Sequence, residues 1–468
     1  MVFNSLEFLL LVILTLVIYY LPSCYAYQKL ILIVASFIFY AWTFPWLLLL
    51  LVFSIVINTV TSYYTIRYDG PKDKVFATVG VILNLSVLLF FKYSPLLGKS
   101  IFSGSGTIGN FLVSIPLPIG ISFFTFQGIS LLVDTYKSKK SPKQIHPPYV
   151  SFREHFENTA LFKAFFPQLV SGPIVKAHDF YPQIQVKYFK VIHWELVFKY
   201  VLTGYFLKMV VADNLKDFTF ELAYPYFTRL STIYLVSILF AYSMQIFADF
   251  AGYSLIAIGI SGLFGYKIMH NFNFPYIASS FSDFWKRWHI SLSTFLKEYL
   301  YFPLGGNRKG RIRTYLNLFI VMALGGLWHG AAWSYMIWGI AHGLFLSIER
   351  LLNDFGIKIQ NQAWKIAKTF LVFIMVSLAW LLFKLPEFDH VILFFQSVYN
   401  NTHVYTDFLP LLYIFIYSLP IVLYHGWYLL RQRYQLGSSI VVPISLALML
   451  FLLLFNSGSP QDFIYFQF

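Results

Sequence analysis

The sequence predicts an all-α integral membrane protein, and three observations carry that prediction. The chain is 58% hydrophobic and 21% aromatic with only 12% charged residues. Its apolar residues fall in repeated runs near the length that crosses a bilayer, about 20 residues. Backbone polar groups in lipid must be satisfied within the segment, so runs of this kind form a helical bundle. A single domain over 1–468 is expected.

Twelve runs qualify as spans: 7–22, 29–43, 45–60, 77–97, 111–133, 191–211, 231–262, 314–331, 332–348, 367–384, 410–430 and 438–456. The first lacks a basic leader and a small-residue cleavage site, so it is expected to remain as the first span rather than be removed as a signal peptide. Two further runs, 157–172 and 289–303, are interrupted by Pro or Gly and read as re-entrant or interfacial. The last run leads into an external tail, so the final segment is 442–468.

Loop charge orients the bundle. Arg67, Lys72 and Lys74 lie in one loop, and Lys137, Lys139, Lys140 and Lys143 in another. Arg308, Lys309, Arg311 and Arg313, then Lys358, Lys365 and Lys368, then Arg431 and Arg433 fall on the same side. Positive loops remain cytoplasmic, which places both termini outside. Anionic lipid head groups and this bias account for the net charge of +14 without a nucleic-acid partner. Cys24 is the one cysteine, which excludes an intramolecular disulfide and a cysteine zinc site; no metal site is expected.

Chemistry concentrates around two histidines. His329 lies in Ala323-Leu-Gly-Gly-Leu-Trp-His-Gly-Ala-Ala-Trp333, where an ionisable group is a functional candidate by default. Gly325, Gly326, Gly330, Ala331 and Ala332 either let substrate approach the backbone or let helices pack closely, and both readings stand. His289 lies in Phe284-Trp-Lys-Arg-Trp-His-Ile-Ser-Leu-Ser293. A helix capped by Ser282 or Asp283 would carry Trp285, His289, Leu292 and Leu296 on one face, with Lys286 and Arg287 at head-group level. His155, His178 and His270 are left without a role.

These segments, with Pro118-Ile-Gly-Ile-Ser-Phe-Phe-Thr-Phe-Gln127, Phe166-Pro-Gln-Leu-Val-Ser-Gly-Pro-Ile174, Asp249-Phe-Ala-Gly-Tyr-Ser254 and Asn273-Phe-Pro-Tyr276, resemble the membrane-bound O-acyltransferases. The similar branch is bacterial and includes enzymes acting on alginate, peptidoglycan and teichoic acid. The resemblance implies a bundle of eleven to twelve transmembrane helices with re-entrant or interfacial helices around a central tunnel. It makes His329 the catalytic histidine and His289 the second, more variable polar position. Trp285, Trp288, Trp328, Trp333, Gln168 and Ser171 are the candidate tunnel residues.

Histidine suits the task, because its ordinary pKa of about 6.5 lets it take a hydroxyl proton and return it to a leaving thiolate. Indole N–H groups of Trp328 and Trp333, or amides near Gly330, are candidate oxyanion donors. The resemblance implies cytosolic acetyl-CoA as donor and no tightly bound cofactor; no Gly-rich phosphate loop is present.

The tail Asp462-Phe-Ile-Tyr-Phe-Gln-Phe468 reads either as an interfacial aromatic anchor or as an acyl acceptor. It resembles the C-terminal motif of the small companion protein in teichoic-acid D-alanylation, which makes Tyr465 the candidate acceptor. A phenol, with a pKa of about 10, leaves more readily than a sugar alcohol, so its ester retains transfer potential. The sequence shows no soluble Ser-His-Asp domain, so a periplasmic esterase-like partner is expected to complete transfer to a cell-envelope polysaccharide. Peptidoglycan is favoured because the chain is compact for this branch, with alginate or another exopolysaccharide the alternative. The implied location is the bacterial cytoplasmic membrane. A transporter using the histidines as a proton relay is the competing class, although matching broken halves are not seen.

Overall fold

A computed structural model describes residues 1–468 except 43, 103–105, 140–144, 146–150, 356–360, 436, 438, 460–462 and 464–468. All regular structure among the described residues is helical. Among the described residues, six helices are long and apolar enough to span a bilayer: Pro22–Ala41, Leu47–Arg67, Pro71–Phe102, Thr232–Leu263, Gln362–Lys384 and Phe408–Tyr434. Leu6–Tyr19 and Val441–Phe455 are shorter apolar helices. The protein is a multi-pass, all-α membrane protein.

Several runs are divided more finely than their hydropathy suggests. The expected span at 111–133 is two helices, Gly106–Ser114 and Ile121–Ser138. Pro116 and Pro118 bar helix between them, and Gly120 turns the chain with φ 79°. The run at 191–211 begins as the Trp194–Tyr205 helix and continues as a wider π-turn over Phe206–Ala212. The interrupted run at 157–172 becomes Phe152–Ala164 and the short Phe166–Leu169 helix. Pro167 is tolerated there because it sits in the helix's first turn.

Contacts gather the chain into two compact units, Met1–Val201 with Ser254–Met269, and Leu202–Tyr253 with His270–Phe468. In the first, the Leu47–Arg67, Pro71–Leu88 and Ile121–Ser138 helices meet around polar groups that satisfy one another. Asn58 and Asn84 exchange two amide hydrogen bonds of 3.0 Å each. Gly128 makes room for them, since a Cβ there would come within 2.5 Å of Asn84 Oδ1. Ser62 Oγ and His155 Nε2 are 2.7 Å apart, and Lys163 donates to Ser54 Oγ at 2.6 Å. His155 and Lys163 are fully buried, so these bonds offset a desolvation cost that would otherwise be large.

Buried charge also marks the second unit. Lys208 Nζ lies 2.7 Å from Asp213 Oδ1 and 2.9 Å from Asp249 Oδ1, tying the π-turn to the Thr232–Leu263 helix. All three residues are at most 2% exposed. The same unit holds His289, His329 and the last described residue, Phe463.

Candidate active site

The single helix expected around His289 does not form. The chain makes one helix over Phe281–Arg287, runs extended at Trp288, turns left-handed at His289 (φ 42°, ψ 55°), and resumes as Ile290–Leu296. The first cap is Ser280, not Ser282 or Asp283: Asp283 N donates to Ser280 Oγ at 3.0 Å. Glu349 Oε2 accepts from the amides of Phe281 at 2.5 Å and Ser282 at 3.3 Å, satisfying donors that a helix start leaves open.

The break has a tertiary cause. Backbone at Asn271–Asn273 runs beside it, with Asn273 N donating to Arg287 O and Ile290 N to Asn271 O, each at 2.9 Å. Asn271 Oδ1 accepts from Ser291 Oγ at 2.5 Å and from Ser291 N at 3.3 Å. Helical hydrogen bonds are exchanged for bonds to this passing segment, which holds His289 in a conformation that non-glycine residues rarely adopt. Arg287 binds Asp283 Oδ1 at 2.9 Å and Asn273 O at 3.1 Å, so it also braces the break.

His329 ends the Arg311–His329 helix. Gly330 is extended (φ −162°), and after Ala332 the chain re-enters helix over Trp333–Asp354. Backbones of this hairpin touch at two glycines: a Cβ on Gly326 would lie 2.1 Å from Tyr335 O, and one on Gly339 2.1 Å from Met322 O. Gly325 faces elsewhere, where a Cβ would lie 3.0 Å from Leu296 Cδ1. The two readings of the glycines therefore divide by residue, Gly326 serving helix packing and Gly325 lining open space.

That space is a cavity of about 120 Å³ bordered by His329, Gly325, Trp285, Ser293, Leu292 and Trp338, among others. It exceeds the ~10–15 Å³ that admits one water and has room for a small acyl group. His329 is 4% exposed, and its ring centroid lies 5.0 Å from Trp328, 5.4 Å from Trp338, 5.1 Å from Phe383 and 6.3 Å from His289. His289 is fully buried, edge-on to Phe250 at 4.6 Å and to Trp328 at 5.9 Å. The two imidazoles, distant in sequence and each at a helix break, thus share one locus.

The other sequence candidates separate. Trp285 borders the cavity. Trp288 is buried against Phe284 and Trp380, and Trp328 lies against both histidines. Trp333 is placed at the surface, 52% exposed as the first residue of its helix, which argues against a tunnel or oxyanion role. Gln168 and Ser171 are buried in the first unit, where Gln168 Nε2 donates to Phe162 O at 3.1 Å. Tyr465 lies outside the described residues.

Sequence reasoning missed His342. It is fully buried, its ring 4.7 Å from Trp338 and 5.2 Å from Trp285, and neither ring nitrogen has a hydrogen-bond partner among the described residues. The signal was present, because Tyr335, Trp338, Gly339, His342 and Gly343 recur at helical spacing as one buried face. Lys208 and Asp249 were likewise legible as ionisable residues inside apolar runs.

The pattern defining the membrane-bound O-acyltransferase family matches residues 34–386. The chain belongs to this family. It is an O-acyltransferase. Its relatives include a peptidoglycan O-acetyltransferase from Helicobacter pylori, 38% identical over 405 residues that cover 79% of this chain and 74% of the relative. A probable alginate O-acetylase from Pseudomonas syringae pv. tomato is 36% identical over 397 residues, covering 82% of this chain and 72% of the relative. Family membership removes the transporter reading.

Proposed function

We propose that this acyltransferase moves an acetyl group from cytosolic acetyl-CoA across the bacterial cytoplasmic membrane for O-acetylation of a cell-envelope polysaccharide, with both termini external. The observation that carries the reading is His329 at the wall of an acyl-sized cavity, 6.3 Å from the ring of His289. Relatives named for peptidoglycan and alginate O-acetylation support acetyl as the group transferred. Peptidoglycan is the favoured acceptor and alginate or another exopolysaccharide the second reading.

In the proposed step, a ring nitrogen of His329 takes the proton of an acceptor hydroxyl as its oxygen attacks the thioester carbonyl. The C–O bond forms, the C–S bond breaks, and the proton passes from the imidazolium to the departing thiolate. The acceptor is the Tyr465 phenol, and a periplasmic esterase-like O-acetyltransferase then carries acetyl to the polymer. His289 orients or polarises the reacting groups from across the shared locus. Support for Tyr465 comes from the described segment before it, since Phe463 packs on Phe250, whose ring abuts His289. Two residues of extended chain span at most about 7 Å.

Purified enzyme in lipid nanodiscs, incubated with labelled acetyl-CoA and digested, tests the reading. Label is expected on the C-terminal peptide, lost in His329→Ala by roughly 10²–10⁴-fold in rate, the range for a general base. Unchanged transfer in His329→Ala would refute the mechanism, and full activity in Tyr465→Phe would remove the carrier. Muropeptides against exopolysaccharide as the labelled product in cells separates the two acceptors.

A further inference from the structure

The C-terminal segment does not leave the last apolar helix freely. After Val441–Phe455 it turns onto the 209–214 segment: Gly458 N donates to Met209 O at 2.8 Å, and Asn214 Nδ2 donates to Asn456 O at 3.1 Å. Tyr417 adds a hydroxyl donated to Asn456 Oδ1 at 3.3 Å. Gly458 sits so close that a Cβ would lie 2.8 Å from Asn214 N and 2.9 Å from the Asp213 carbonyl carbon, both backbone atoms. That is a first point of attachment, and it requires glycine.

Phe463 forms a second. It is fully buried, its ring 4.2 Å from Tyr253 and 5.8 Å from Phe250. Both partners belong to the helix that carries Asp249, and the Lys208 ammonium lies 5.8 Å from the Tyr253 ring. The buried Lys208, Asp213 and Asp249 set therefore braces both attachment points, joining Asp213 beneath Gly458 to the helix that holds the socket. On the other side of Phe250 lies His289, at 4.6 Å.

We infer that Phe463 is a positioning residue, a plug that with Gly458 clamps the C-terminal segment in one register on the His289 side of the second unit. The consequence for acyl transfer rests on the carrier reading above; the clamp itself does not. A buried phenyl ring between two aromatic side chains sets register along the chain, because a slip of one residue in one direction would bring the Asp462 carboxylate to the socket, and in the other would offer the smaller, branched Ile464 to a socket shaped by aromatic rings. Register in turn limits where the hydroxyl two residues further on can reach, and small misplacements at a reacting centre are costly.

The test uses full-length enzyme in nanodiscs with Phe463→Ala and, as an independent variant at the other attachment point, Gly458→Ala. Hydrogen exchange over 456–463 reads the clamp, and the single-turnover rate of acetyl label appearing on the C-terminal peptide reads its consequence. Protection is expected in the parent and lost in both variants. The labelling rate is expected to fall on the order of 10²-fold at saturating acetyl-CoA, with the KM for acetyl-CoA unchanged, a split that general destabilisation would not produce. Parent-like exchange and labelling in Phe463→Ala would overturn the inference. Protection lost in the variants while the parent itself takes no label would uphold the clamp and defeat the carrier reading, so the two failures are distinguishable.

Discussion

Replacing Gly326 by alanine isolates the dependence of chemistry on the hairpin that presents His329. The new Cβ would stand 2.1 Å from Tyr335 O, 3.0 Å from its carbonyl carbon and 3.1 Å from Gly339 N, all backbone atoms that no rotamer change can move. Bringing the shortest contact to 3.0 Å requires the helices to part by about 1 Å, an overpacking that costs about 1–3 kcal/mol. His329 lies one turn further along the same helix, at its end. A displacement of about 1 Å at a reacting group lowers the rate on the order of 10²-fold. Gly343→Ala, in the partner helix of the same hairpin, is the control, because its Cβ would come no closer than 3.3 Å to Phe319 and would leave the hairpin closed. Single-turnover acetyl transfer and thermal unfolding in nanodiscs are the assays. Gly326→Ala with parent-like rate and unfolding temperature would refute the argument that this backbone contact sets the position of His329.

Two further outcomes follow from buried and half-buried charge. Lys208→Met removes the cation shared by Asp213 and Asp249 and is expected to destabilise the protein by about 3–5 kcal/mol, the cost of stranding a buried charge. Thermal unfolding measures it, and adding Asp213→Asn should recover part of the loss. His178, outside the spanning helices, is lifted above the ordinary imidazole value by its hydrogen bond with Asp134 and by the charges of Asp134 and Asp179, against burial and Lys176. A folded-state pKa above the unfolded value of about 6.5 makes this contribution complete below that value and lost as pH rises through the folded one. The stability difference between parent and His178→Ala should therefore shrink from acid toward alkaline pH, and a difference that grows in that direction would contradict the assignment.

Composition and hydropathy were sufficient to determine an all-helical membrane protein, because the energetic demand that lipid places on a backbone is read from apolar run length alone. Six motifs, those around His289 and His329 among them, carried the resemblance to the family and with it the expectation of acyl transfer. Local pattern failed where the cause lay elsewhere in the chain. A periodic sequence from Ser282 to Leu296 looks like one helix, yet the Asn271–Asn273 segment takes over its hydrogen bonds and breaks it at His289. Neighbouring Gly325 and Gly326 are alike in sequence, and only the approach of Tyr335 gives one to packing and leaves the other to the cavity. Phe463, in a tail whose aromatic residues look alike, acquires its place from Tyr253 and Phe250. Periodicity records which face of a segment avoids water; which distant residue meets that face is decided by packing, and here packing put two imidazoles side by side.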